Sequence, residues 1–150
     1  MLEQGFVQLL QSNGGVAAIA LGGWRNQLPE DAPLPNWSYL SILKRPQYAL
    51  QALPGLCEWR VQIDCYSASD QGQTSAAGIV TNQSTSVDLA NAIYGVLSGF
   101  RGTLPDPQNT QVDSAFLVDE HSEFDSVRRT WRTLQEWQLW YYVSPSNPPD

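Results

Sequence analysis

The chain has 150 residues, enough for one domain with a real core and too few for two comfortable ones. Apolar residues make up 42% and charged residues only 15%, while tryptophan occurs 6 times, a balance suited to a protein that buries surface against partners. With 15 acidic residues against 8 basic ones and a net charge of -7, it lacks the cations that phosphate contacts need, which argues against wrapping nucleic acid or docking on an anionic membrane.

In chain order, Leu2, Phe6, Leu9 and Leu10 fall at i, i+4, i+7 and i+8 and predict a short amphipathic helix. The N-terminus lacks a basic start ahead of an apolar run, and no stretch is apolar for the length of a bilayer, so a cytosolic setting is expected. Asn13-Gly14-Gly15 ends the helix, with room for one more turn over 16–21. Three prolines between Leu28 and Pro35 forbid regular helix and predict an extended surface arm. Trp37 to Leu43 predicts a strand closed by Lys44-Arg45-Pro46, and Pro54-Gly55 predicts a turn.

The clearest pattern follows. Cys57, Trp59, Val61, Ile63 and Cys65 alternate without a break with Glu58, Arg60, Gln62 and Asp64, which predicts a strand with one face on a core and the other wet or at an interface. At ~3.3 Å per residue the two cysteines on that strand lie roughly 26 Å apart, beyond disulfide reach, and read as buried reduced thiols. Residues 67–83 are rich in Ser, Gly and Gln and read as a long loop or flap. A helix is predicted from Ser86 to Ser98, with Thr85 and Asp88 at capping-box spacing, an apolar face of Val87, Ala90, Ile93, Tyr94 and Leu97, and Gly99 just past its end. Gln111 to Asp119 predicts a strand, 119–125 an acidic connection. Residues 131–143 fit a helix (Val127, Trp131, Leu134, Tyr141) or a strand (Trp137, Leu139, Tyr141, Val143), with aromatic density favouring strand. Residues 144–150 read as a disordered tail after a single domain over 1–143.

Little here points to catalysis. His121 is the only histidine, and Asp119, Glu120, Glu123 and Asp125 around it offer oxygen ligands for a hard cation. The fixed alternate ligands and central glycine of a calcium loop are missing, so a solvated acidic turn is the expectation, with no metal and no cofactor. Gly22-Gly23 has no Gly-Lys-Ser/Thr behind it, and no Gly-x-Ser-x-Gly elbow occurs, so enzymatic activity is not expected. The aromatics Trp24, Trp37, Trp59, Trp131, Trp137, Trp140, Tyr141 and Tyr142 are too many for one small core; the surplus suits a protein–protein interface better than a sugar-stacking platform.

Several segments in order resemble the tail-completion family of long-tailed bacteriophages. Arg45-Pro-Gln-Tyr-Ala-Leu50 with Pro54-Gly-Leu-Cys-Glu-Trp-Arg-Val-Gln-Ile-Asp-Cys-Tyr66 is similar to that family's turn and strongest strand. Ala92-Ile-Tyr-Gly-Val-Leu-Ser-Gly-Phe-Arg-Gly102 resembles the end of its helix, and Phe116-Leu-Val-Asp-Glu-His121 with Trp131-Arg-Thr-Leu-Gln-Glu-Trp-Gln-Leu-Trp-Tyr141 its last two strands. The likeness runs from about Met1 to Tyr142; the 67–83 loop and the proline-rich tail depart from it. It implies an α+β fold with a mainly antiparallel four-stranded sheet (strands near 37–43, 56–66, 111–119 and 131–143), covered by the N-terminal helix and the helix near 86–98. It also implies strand for Trp131–Tyr141 and brings no catalytic residues.

The function so implied is that of a tail terminator in the virion. A sixfold ring of this chain would cap the tail tube protein, meet the head connector or neck protein, and let DNA pass without specific binding. An acidic channel would help DNA slide. Candidate interface residues are Asp119, Glu120, Glu123 and Asp125 with Arg128 and Arg129 beside them, whose opposite charges would set register between subunits, together with Trp140 and Tyr142. The alternatives are a neck adaptor without terminator activity, a carbohydrate-binding module, and a small metal-dependent enzyme centred on His121.

Overall fold

Alternation of period two around Val61 builds the centre of the molecule. In the computed structural model, which describes residues 2–20, 22–29, 31–46, 56–68, 83–127 and 129–142, that segment is the long strand β3 (Leu56–Ala68). The remaining elements are α1 (Leu2–Gln11), α2 (Gly14–Ala17), β1 (Trp24–Arg25), β2 (Asn36–Pro46), α3 (Gln83–Leu97), β4 (Gly102–Thr103), β5 (Gln111–Asp125) and β6 (Thr130–Tyr142). The strands form one sheet in the order β1-β2-β3-β6-β5-β4, with β1 parallel to β2 and every other pair antiparallel.

This corrects the expected fold class. The chain is mostly β, a six-stranded mixed sheet curled into a half-barrel with few helices, rather than an α+β fold whose four-stranded antiparallel sheet is covered by helices. Two things hid this in the sequence. The edge strands β1 and β4 are two residues each, too short for any periodicity to register. The acidic run 119–125 is not a connection; β5 continues through it, paired with residues 130–136 of β6. Charged residues disfavour strand on propensity alone, but cross-strand pairing with β6 overrides it. The curl coincides with breaks in register between Ser41 and Leu43, Val112 and Ser114, and Leu117 and Asp119, because an unpaired extra residue bends a strand and increases its twist.

One face of the sheet carries the helices and the core. Cys57, Trp59, Val61, Ile63 and Cys65 stand beside Tyr141, Leu139, Trp137, Gln135 and Thr133 of β6, with Trp37 and Tyr39 of β2 on one side and Val112 and Ala115 of β5 on the other. Leu2, Phe6 and Leu10 of α1 close over this face, the Phe6 ring meeting Trp59 edge-on at 5.0 Å. Gly22 allows the chain to pass Trp37: a Cβ there would fall 2.0 Å from the indole Cδ1.

From α3 come Leu89, Ala90, Ile93 and Leu97, while Tyr94 sits at the rim, its ring 5.9 Å from that of Trp137. Helix α3 is also fixed by polar contacts on an otherwise apolar face. Gln135 Nε2 donates to the Ala90 carbonyl at 2.9 Å, Trp137 Nε1 donates to Gln135 Oε1 at 3.0 Å, and the Ser86 and Thr133 hydroxyls are 3.0 Å apart. Buried amides and hydroxyls so paired hold a helix in one register, since any slip leaves them unsatisfied.

Other boundaries move. Helix α3 begins at Gln83, so Thr85 lies inside it and the expected capping box is not at its start; Gly99, at φ +70, does take the left-handed position past its end. Asn13 begins a second short helix, its Oδ1 accepting from the amides of Gly15 and Val16. The proline-rich arm is not wholly superficial, since Leu28 is buried. The Pro54-Gly55 turn, residues 69–82 of the expected loop, and the tail 144–150 lie outside the described residues. Among the described residues no helix is long and apolar enough to cross a membrane.

Candidate assembly surface

The polar alternates of β3 define the second face, which the helices leave open. Along it Arg45 Nη2 reaches Glu58 Oε1 at 2.6 Å, Gln138 Nε2 donates to Glu58 Oε2, and Arg60 bridges towards Glu136 at 3.5 Å. A second group centres on Arg132, which holds Asp64 Oδ2 at 3.1 Å and Glu123 Oε1 at 3.0 Å, while Gln62 donates to Asp64. Glu58 and Asp64 are only 3% and 6% exposed, and the Asp64–Arg132 pair is largely desolvated, whereas the Glu58 partners Arg45 and Arg60 keep much of their side chains in solvent. Burial pushes the Asp64 carboxyl above its usual range, with the Arg132 guanidinium holding it partly down. Burial also works against the Arg132 charge, but Asp64 and its neighbours outweigh that and raise its pKa. The arm 28–35 reaches the end of this face beside Tyr66 and Thr130, leaving a cavity of about 290 Å³ between Leu28, Leu34 and Val127.

The sheet ends laterally on two margins of opposite character. On one, β1 covers β2 only at Ser38 and Tyr39, and among the described residues no strand pairs with the outer side of 40–46. That margin carries Leu40, Ile42, Leu43, Lys44 and Arg45, with Arg25 nearby; Glu3 of α1 clasps Lys44 at 2.6 Å and Arg25 at 3.1 Å. On the other, β4 covers β5 only at Gln111 and Val112, and among the described residues no strand pairs with the outer side of 117–124. That margin is acidic, with exposed Phe116, Val118 and Phe124 between the carboxylates.

The structure separates the sequence-predicted site residues. Asp119, Glu120, Glu123 and Asp125 are brought together along β5, but on alternating sides: Asp119, His121 and Glu123 share the open face and Glu120 the helix-bearing face. Glu123 is tied to Arg132, and Asp125 Oδ1 accepts from the Val127 amide at 3.0 Å. Arg129 lies in the hairpin turn at φ +55, and Arg128 is outside the described residues. Trp140 and Tyr142 stand at the far end of β6, Trp140 about 13 Å along the strand from the level of Asp119 and about 33 Å from that of Asp125, so they neighbour only the first of the acids. Among the described residues no three His, Cys, Asp or Glu side chains are grouped to hold a metal ion.

Three features escaped the sequence reading: the buried ion pairs at Glu58 and Asp64, the exposed Phe116 and Val118, and the basic margin of β2. Alternating charge sign at Glu58, Arg60 and Asp64 was the available signal for the first.

A mostly β half-barrel with one helix-bearing face, one charged face and two unlike margins defines a class of structure rather than an activity. No family model matches the chain, and no curated protein matches it. Among solved structures it is similar to a chain of the "Virion of native gene transfer agent (GTA) particle", with TM-score 0.61 and 12% identity, covering 95% of each chain.

Proposed function

We propose that this protein is a structural virion subunit of phage type, a tail terminator or tail-completion subunit that closes into a ring at the head-proximal end of the tail. The observation that carries the reading is the fold shared along 95% of both chains with a chain of a gene transfer agent virion. It agrees in kind with the resemblance of the strand and helix segments to tail-completion proteins. In this role the chain meets copies of itself, the tail tube protein and the head connector, and DNA passes through without sequence contacts. The role is mechanical, without catalysis or cofactor.

Desolvated charge pairs and two unlike sheet margins suit a subunit whose surfaces are made for neighbours. Three of the six tryptophans, Trp37, Trp59 and Trp137, are each 0% exposed and committed to the core, which removes them from any sugar platform.

Electron microscopy of particles made without this gene tests the proposal. Tails of abnormal length beside unattached heads are the expected outcome. Normal-length tails beside full, unattached heads would replace terminator by joining protein, and intact infectious particles would overturn the assembly role altogether.

A further inference from the structure

We infer that copies of this chain join by continuing the sheet, the 40–46 edge of β2 in one copy pairing with the 117–124 edge of β5 in the next. The inference deepens the ring reading above and rests on it. A strand edge without a partner presents a row of backbone donors and acceptors, and soluble proteins cover or blunt such edges. Here the outer side of each stretch is free of a strand partner among the described residues, and the two lie on opposite margins of one sheet. A contact between unlike margins is heterologous, the kind that closes into rings.

Direction, charge and geometry agree. Strands β2 and β6 run one way and β3 and β5 the other, so a neighbour's β2 placed beside β5 meets it antiparallel, as all the long pairs of this sheet already do. Centring the two free stretches on each other sets Leu43 against His121, Lys44 against Glu120 and Arg45 against Asp119. Each such couple lies on the same face of the sheet: Leu43, Arg45, His121 and Asp119 on the open face, Lys44 and Glu120 on the helix-bearing face. Opposite charges fall across from each other, and a one-residue slip would break every one of these matches. Lys44 is already held by Glu3 and Arg45 by Glu58, so the neighbour's Glu120 and Asp119 would meet cations that already have one partner.

The free stretches are also staggered. β1 sits on β2 level with Glu120 and His121, whereas β4 sits on β5 level with Pro46. Bringing them together requires an offset of about four to five residues, roughly 15 Å. Spread over the roughly 19 Å width of four strands, that offset corresponds to strands tilted about 40° to the ring axis, within the range of closed barrels. The cover strands β1 and β4 then lie beyond the ends of the new pairing instead of in its way.

The test is cysteine crosslinking in assembled particles carrying Leu43→Cys together with His121→Cys, since the native Cys57 and Cys65 are buried and do not compete. Mild oxidation is expected to give a ladder of covalent oligomers on a non-reducing gel, with no ladder from either single variant. A dimer from one single variant would mean that like edges meet and would overturn the inference. Particles that show a ring of this chain by electron microscopy but give no crosslinks would also overturn it while leaving the ring intact; particles with no such ring would take down the ring reading as well.

Hydrogen exchange supplies a second readout that needs no substitution. Those amides of 40–45 and 117–124 that point away from β3 and β6 are expected to slow at least tenfold from dilute monomer to ring. Equal rates in the two states, or protection already complete in the monomer, would overturn the pairing.

Discussion

Asp64 and Arg132 show what a single pairing is worth in this fold. Their side chains are 8% and 23% exposed and meet at 3.1 Å, with Glu123 on the far side of the guanidinium. Removing one member of a desolvated pair leaves the other charge without compensation, so Arg132→Ala is expected to cost about 3 kcal/mol at neutral pH. The sign of the pH dependence follows from Asp64. Its pKa is raised in the fold, so proton uptake favours the folded state, and this contribution is present below the unfolded carboxylate value and lost as pH rises through the folded one. Without Arg132 that effect grows, and urea midpoints should show the gap between variant and parent narrowing from pH 7 towards about pH 4. A gap constant across that range would assign the loss to Glu123 or to packing. None of this was legible from the sequence. Asp64 and Arg132 are remote in the chain, and only the register that pairs Tyr66 with Arg132 brings them to one face.

Among the elements, β3 was the most legible and β5 the least. Strict alternation located β3 and its two faces, because a strand buried on one side and charged on the other has no other pattern open to it. Both cysteines are buried on the core side of β3, and burial pushes the thiol of Cys57 up and that of Cys65 further. Neither is expected to react with a thiol reagent in the native protein, and both should become reactive together as urea passes the unfolding transition. Rapid labelling of one thiol in native buffer would show that β3 is not the central, closed strand described here. In β5 the alternation survives only to Leu117; beyond it nearly every residue is exposed, and the charges that read as a connection are those that protect an open edge. The acidic run was legible as a charged exposed segment, but as a turn rather than as the margin strand it forms. Trp140 and Tyr142 were added for their chemistry although β6 carries them to its other end.

For the whole molecule, counting helical and extended segments suggested an α+β class, but class is decided by how the strands share a sheet, and two-residue edges and bulges leave little trace in composition. The strand order has a consequence in time as well as in space. β2 and β3 are sequence neighbours, and so are β5 and β6, so each ribbon closes over a short span of chain; the central junction, Val61 beside Trp137, joins the two ribbons across α3. Closing that larger loop before its contacts reward it is the slow step expected of folding. Val61→Ala should therefore slow refolding in stopped-flow measurements, and Phe124→Ala, which removes the ring packed on Trp131 in a ribbon that closes before the slow step, should also slow refolding with little effect on unfolding. Refolding rates unaffected at Val61 would mean that its junction forms only after the rate-limiting step. If docking is late, both ribbon margins exist before the centre is sealed, and a nascent subunit passes through a stage in which two further strand edges stand open to the wrong neighbour.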